Sequence, residues 1–525
     1  MKIQLSDHFS LPRLLRFTLP SIVMMVFTSI YVVVDGFFVA NYVGKTPFAA
    51  LNFIMPVLIL LGTVGFMFGT GGSALVSKTL GEKDPEKANR LFSLFVYVPL
   101  VLGTVLGGIA VALMPAIARA LGAEGEMLAG CVLYGRIIAA ATPAYIMQME
   151  FQSFFVTAER PTLGLVTTVA AGVTNMVLDW LFMAVFHWGL AGAAIATALS
   201  QAVGALLPLA YFLRPNTSLL RLGRTHWDGK ALFKACTNGS SELMSNVSMS
   251  LVGMLYNIQL IRYAGEDGVA AYGVLMYVNM IFLAIFIGYS VGTAPIVGYH
   301  FGARNHPELH SLLRKSLLLL SITAVGMWVL GEVSGEILSR IFVSYDVALL
   351  DMTRQAFTIF SFSFLFAGFN IYASSFFTAL NDGLISALIS FLRTLVFQTA
   401  AVLLLPRLWG LNGIWWSIVV AEGGAFLVSG ACVLLLRKKC WRAMVLYLPM
   451  LLNVAVCLLS PVNASTRYML CATACLPLLL AVLSSAGQIE PPPEETAFLG
   501  ELALDGSLRP VSGVLPMALT AAASG

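Results

Sequence analysis

The chain has 525 residues, 58% of them hydrophobic and 11% charged, with 30 Lys and Arg against 26 Asp and Glu for a formal net charge of +4. A soluble globular chain averages about 25% charged residues, so this composition, with a mean hydropathy of +0.87, excludes a soluble domain and describes an all-α polytopic membrane protein. The small net charge gives no footing for nucleic acid. The 7 cysteines are odd in number and lie mostly in apolar runs, so they read as buried thiols.

The N-terminus, MKIQLSDHFSLPRLLRF, lacks a short apolar region followed by a small-residue cleavage site, so no removed signal peptide is expected. Apolar runs between charged or Gly/Pro-rich breaks then predict twelve spans, near 14–40, 47–77, 91–115, 127–156, 162–186, 189–213, 232–262, 267–299, 312–334, 349–379, 384–405 and 410–436. The first carries Asp35 in FTLPSIVMMVFTSIYVVVDGFFVANYVG. An ionised carboxylate inside a bilayer costs at least about 2.5–3.5 kcal/mol and needs a cation, a proton or a polar partner. A cation or proton site is the first reading and a structural hydrogen bond to a neighbouring helix the second. Pro20 in the same span removes one helix hydrogen bond, which either permits a bend or is tolerated near the first turn. Gly69, Gly71 and Gly72 in the second span read as close helix packing.

Placing the N-terminus in the cytoplasm, the inner segments hold 20 Lys and Arg and the outer ones 7, an alternation that supports both the span count and that orientation. Counting 1.5 Å per residue from the inner end of the fifth span, Asn175 is about 20 Å deep and Asp179 about 25 Å. They are four apart and share a helix face. Thr197, in the sixth span, lies about 12 Å below the outer end. With Asp35 these residues converge on the outer half of the first lobe. Two carboxylates, an amide carbonyl and a hydroxyl are hard oxygen ligands that suit a small cation or a shared proton. Capping or packing near the end of the fifth span is the competing role for Asn175 and Asp179.

In the second half, Glu242 stands about 10–15 Å into the seventh span, as part of a second proton or substrate site or as a residue facing an inner vestibule. Arg393 and Glu422 lie near mid-membrane in antiparallel neighbouring spans and are expected to pair, first as a structural ion pair and second as part of a polar cavity. Gln201 is the repeat counterpart of Glu422 and joins the same group. Glu150, near the inner end of the fourth span, reads as interfacial.

The halves repeat at an offset of 221: Gly44 matches Gly265, Gly71 matches Gly292, Gly81 matches Gly302, and Trp188-Gly189-Leu190 matches Trp409-Gly410-Leu411. Six spans per unit give a parallel repeat about an axis along the membrane normal, with a path between the units. The expected organisation is a lobe at 1–213, a linker at 214–234, a lobe at 235–440, an apolar tail at 441–487 that forms either one or two extra membrane segments or an interfacial or re-entrant hairpin broken at Ser460-Pro461, and a disordered tail at 488–525. No phosphate-cradling G-x-x-x-x-G-K-[ST], HExxH or CxxC occurs, so transport would draw on an ion gradient or a partner subunit. Cys471 and Cys475, one turn apart without His or acid nearby, do not make a metal site.

YVVVDGFFVANYVG with GTGGSALVSKTLGEKDPEKA, NMVLD in the fifth span, WGLAGAAIAT in the sixth and GTAPIVGYHFGARN in the second half resemble the multidrug and toxic compound extrusion (MATE) family over about residues 10–440. The resemblance implies a non-enzymatic, twelve-helix, two-lobe antiporter of the bacterial inner membrane, monomeric among lipid, that exports small organic cations by alternating access. It needs no cofactor beyond H+ or Na+ as coupling ion. It implies that Asp35, Asn175, Asp179 and Thr197 form the coupling-ion site, with Asp35 and Asp179 as carboxylate ligands if the ion is Na+. Glu242 in its GSSE setting resembles one bacterial subgroup. The alternative is a flippase of a lipid-linked oligosaccharide in the same superfamily, which would need a strongly basic cavity.

Overall fold

The computed structural model describes residues 3–343 and 347–437, and a short antiparallel pairing of Glu501–Leu502 with Leu508–Arg509. It divides into two compact units, Met1–Ser429 and Gly430–Gly525. In the second unit that two-residue pairing stands in the stretch expected to be disordered, while the apolar segments expected at 441–487 lie outside the described residues.

The first unit runs α1 Leu11–Tyr42, α2 Lys45–Gly81, α3 Pro85–Ala120, α4 Gly125–Ala140, α5 Thr142–Thr157, α6 Pro161–Asp179, α7 Gly189–Leu213, α8 Gly229–Gly302, α9 His306–Val343, α10 Val347–Ser361, α11 Phe364–Ala379, α12 Gly383–Phe391, α13 Gln398–Trp409 and the start of α14 Leu411–Arg437. Two π-helical turns, Trp180–Val185 and Leu392–Phe397, continue α6 and α12. Among the described residues 9 helices are long and apolar enough to cross a bilayer, and the bent pairs α4–α5 (55°) and α10–α11 (49°) bring the number to 11. The twelfth crossing is hidden in α8. Its 74 residues contain a break at Gly265 (φ 62°, ψ −149°); unbroken they would measure about 110 Å, far more than a bilayer. The twelve spans therefore fall where the apolar runs predict.

The repeat is visible in the backbone. Gly44 (φ 103°) and Gly265 (φ 62°) turn the chain between the first two spans of each half, and Gly189 (φ 59°) and Gly410 (φ 56°) turn it before the sixth. Glycine takes positive φ without a Cβ penalty. Even the non-glycine residues repeat, with Lys83 (φ 64°) and Arg304 (φ 54°) in the same offset. α8 starts at Gly229, inside the stretch read as linker, because Asp228 Oδ1 accepts a hydrogen bond from the Ala231 N–H at 3.0 Å and caps the helix there. α1 runs unbroken through Pro20, which is ten residues in and well past the first turn.

The two halves meet where α1 and α2 pack on α8, at the end of the bundle nearest the chain's N-terminus. Glycine allows that approach. A Cβ on Gly71 would fall 2.0 Å from the Ala235 carbonyl oxygen, one on Gly239 2.0 Å from that of Met67, and one on Gly302 2.0 Å from that of Lys78. Asn381 Nδ2 donates across the seam to the Ala74 carbonyl at 3.2 Å. The N-terminal segment ahead of α1 also bridges the halves. Leu5 N–H donates to Glu159 Oε1 at 2.7 Å in the first half, while Phe9 N–H donates to Glu308 Oε1 at 2.9 Å in the second. His8 Nδ1 stands 2.6 Å from Glu308 Oε2, and Lys315 Nζ donates to the Phe9 carbonyl.

Candidate ion-binding site

Asp179 ends α6 at the point where the helix widens into its π turn, and Gly172, Asn175 and Asp179 share one face of α6. Gly172 lets α1 come close: a Cβ there would sit 2.5 Å from Phe27 Cε1 and 3.0 Å from Tyr31 Cδ1. One turn beyond Tyr31 stands Asp35, so the same helix contact brings the carboxyl groups of Asp35 and Asp179 to hydrogen-bonding range of each other. Asp179 is 0% and Asn175 1% exposed. Thr197 comes in from α7, and the Tyr134 hydroxyl of α4 lies beside it, near both carboxylates.

This cluster holds buried polar atoms without hydrogen-bond partners: Asp35 Oδ1, both oxygens of Asp179, Asn175 Nδ2 and Thr197 Oγ1. Nearly all buried polar groups in proteins are satisfied, and two facing carboxylates offer acceptors only. Two bare negative charges at that range repel; a proton shared between them or a small cation resolves both the repulsion and the missing donors. Among the described residues no three His, Cys, Asp or Glu gather to hold a metal ion. A bound Na+ would therefore rest on the two carboxylates supplemented by the Asn175 carbonyl and the Thr197 hydroxyl, a hard oxygen set.

Sequence reasoning missed the aromatic wall of this site. Tyr134 is 1% exposed, and Tyr31 lies beside Gln148 and Tyr145 as well as Asp35. The spacing of Tyr31 four residues before Asp35 was the available signal.

The second half holds a separate polar cluster. Arg393 forks onto Glu422, with Nε 2.9 Å from Oε1 and 3.0 Å from Oε2, and with one terminal nitrogen 2.9 Å from Oε1. Asn370 Nδ2 donates to Glu422 Oε2 at 2.8 Å. Arg393 is the second residue of the other π turn, so both lobes place a charged residue where a helix changes its winding. Glu242 on α8 lies near Arg393, and Tyr256 near Glu422 and Ser417. Gln201 does not join them. It sits on α7 of the first lobe with Oε1 buried and unpartnered, and among the described residues no hydrogen bond or ion pair ties it to the other three.

Glu150 corrects an expectation. It is 0% exposed with both carboxylate oxygens unpartnered, and its Cα would lie 3.2 Å from a Cβ on Gly69 of α2. Its side chain therefore does not face the membrane surface as an interfacial residue would, but points into the lobe from α5, which restarts after the break at Ala141. Gly69 thus packs within the first lobe, while Gly71, two residues on, faces the seam between lobes.

Two six-helix lobes related by a repeat along the chain, each with ionisable groups buried between its helices, define a multi-pass membrane transporter. The MatE family model matches residues 20–181 and 243–402, more than half the chain, and the chain belongs to that family. Toward the C-terminus, residues 420–491 match a family of unknown function and residues 472–525 a subunit of Mg-chelatase, ChlI. Among curated relatives, the multidrug export protein MepA of Staphylococcus saprophyticus is 24% identical over 427 residues, covering 81% of this chain and 94% of that one. MepA of Staphylococcus aureus is 23% identical over 430 residues, covering 81% and 94%. A multidrug resistance MATE transporter solved in an outward-facing conformation superposes with a TM-score of 0.77 at 21% identity, over 82% of this chain and 98% of that one. A MOP superfamily transporter from Pyrococcus furiosus, described as having a binding pocket of reversed polarity, superposes with a TM-score of 0.75 at 21% identity, over 80% and 95%.

Proposed function

We propose that this chain is an ion-coupled antiporter that exports organic cations across a bacterial inner membrane, its N-terminus in the cytoplasm. The observation that carries the reading is the facing pair Asp35 and Asp179, with its cluster of unpartnered buried atoms. Bound H+ or Na+ neutralises one of the two charges and lets α1 and α6 stay together; losing the ion drives them apart. The ion biases the lobes only if its affinity differs between the two access states, and a site whose repulsion depends on helix spacing has that property. The names of the MepA relatives supply the cargo class, drugs, and the seam closed at the basic end fits the outward-facing half of such a cycle.

Arg393, the cation expected at mid-membrane, is taken up by Glu422 and so is not free to hold a pyrophosphate, which speaks against the flippase reading.

The test is ethidium efflux from proteoliposomes or everted vesicles driven by a Na+ pulse or by a pH pulse. Efflux that responds to one pulse and is lost in Asp35→Asn and Asp179→Asn, with protein levels unchanged, supports the proposal and identifies the ion. Normal efflux in both variants overturns it.

A further inference from the structure

The end of the bundle away from the N-terminus carries few basic residues, yet two of them line one groove between α3 and α4. The groove has a volume of about 560 Å³, and its walls include Pro115, Leu128, Val132 and Leu133 along with Arg119 and Arg136. Arg136 is exposed on α4, and its Nε donates to the Val111 carbonyl of α3 at 3.2 Å, which fixes the side chain along the groove. Its neighbours on this face are exposed apolar residues, Leu113 at 50% and Leu133 at 46%, so the surface is lipid-facing. Among the described residues neither guanidinium has a carboxylate within ion-pairing distance.

Depth decides what can meet these charges. Taking the middle of α3 as the bilayer midplane, Val111 lies about 13 Å out and Arg119 about 25 Å. The hydrocarbon ends at about 15 Å, and the headgroup layer extends a few ångströms further. The groove therefore crosses the level of the phospholipid phosphates. Arg136 rises to that level from below and Arg119 reaches down to it from above. An arginine at the edge of hydrocarbon with only one backbone acceptor leaves most of its donors unused, and a guanidinium matches the oxygens of a phosphate in a bidentate fork.

The geometry points to a binding site for one anionic phospholipid in the leaflet opposite the chain's N-terminus, its phosphate held by Arg119 and Arg136 and an acyl chain laid over Leu128, Val132 and Leu133. The occupant comes from the surrounding bilayer because only a lipid has both its anion at this depth and a chain to fill the apolar wall. Two positive charges and no acid among the lining residues select a net negative headgroup over a zwitterionic one. This site is independent of the transport reading.

The experiment is native mass spectrometry of the purified full-length protein, titrated separately with dioleoyl phosphatidylglycerol and dioleoyl phosphatidylcholine. Wild-type protein should retain one phosphatidylglycerol about 30-fold more tightly than phosphatidylcholine, the effect of two interfacial basic residues at about 1 kcal/mol each. Arg119→Gln with Arg136→Gln should remove that preference, whereas Arg262→Gln, a basic residue elsewhere at the same end, should keep it. Equal retention of the two lipids by wild type overturns the proposal, as does an unchanged preference in the double variant. If that variant does not fold, the wild-type comparison and Arg119→Lys with Arg136→Lys, expected to keep at least part of the preference, still decide. Displacement of the bound lipid by millimolar inorganic phosphate would show a free-anion site and also overturn it.

Discussion

At the level of single residues the two lobes solve the problem of buried charge in opposite ways. In the second lobe Glu422 is matched by a bidentate arginine and an asparagine, so its charge is compensated without any ligand. In the first lobe Asp179 faces another acid, with unpartnered polar atoms and the Tyr134 hydroxyl nearby and, among the described residues, no cationic partner. A paired charge contributes structure, whereas the unpaired one is the feature on which the proposed ion site rests. Breaking a buried pair by removing one partner costs about 3–5 kcal/mol, while replacing both with apolar groups of similar volume is often neutral. Arg393→Met should therefore lower the thermal unfolding midpoint in detergent sharply, and Arg393→Met with Glu422→Leu should recover most of the loss. A double variant as unstable as the single would show that the pair is not an isolated structural unit. Asp179→Asn is expected to behave differently, because it removes a repulsion at constant shape. Its unfolding midpoint should equal or exceed that of wild type. A midpoint several degrees lower would mean that the carboxylate is a structural acceptor, and the ion-site reading would fail with it.

At the level of elements, straightness decided what could be read in advance. Depth counted along α1, α6 and α7 brought Asp35, Asn175, Asp179 and Thr197 to one place because those helices run without a break to the residues in question. The burial of Glu150 was not legible, since the 55° bend between α4 and α5 leaves no mark in the apolar pattern beyond Pro143. The π turns were also hidden, because an extra residue per turn does not change hydropathy. Tyr134 escaped notice since a lone tyrosine in an apolar run looks like packing until a neighbouring helix brings an acid to it. Glycine was legible as a sign of close approach, though not which of three neighbouring glycines faced the other lobe. That distinction is open to test. A Cβ at Gly71 would overlap the Ala235 carbonyl at 2.0 Å, whereas one at Gly326 meets nothing within 4 Å. Overpacking of this kind costs about 1–3 kcal/mol, all of it charged to the state in which the seam is closed. Gly71→Ala should raise the population open at the N-terminal end at least about fivefold, and Gly326→Ala should leave it unchanged. Spin labels at positions 160 and 304 on a cysteine-free background would report the change as a longer distance, and identical distance distributions would rule it out.

For the whole molecule, the seam glycines close one end of the bundle by shape, and the segment Leu5–Phe9 closes it by hydrogen bonds. The segment is bound on one side to Glu159 and on the other to Glu308, with Leu5 and Phe9 both 0% exposed. A motion that separates the lobes at this end cannot keep both attachments, so under the proposed alternating access the strap would release one carboxylate in each cycle. The side it releases is set by relative strength. Glu159 accepts the Leu5 N–H, and Glu308 accepts the Phe9 N–H and meets His8, with Lys315 closing on the Phe9 carbonyl beside it. Hydrogen bonds to charged groups contribute about 1.5–3 kcal/mol, enough to shift a two-state balance by a factor of about ten to a hundred. Glu308→Gln keeps an acceptor for Phe9 but loses the negative charge beside His8, and Glu308→Ala loses both. The population open at the N-terminal end should rise in that order, and an unchanged population in Glu308→Ala would show that the strap does not hold the end closed. Hydrogen exchange at the Leu5 and Phe9 amides reads the moving side directly: the amide that exchanges faster in wild type marks the carboxylate that lets go.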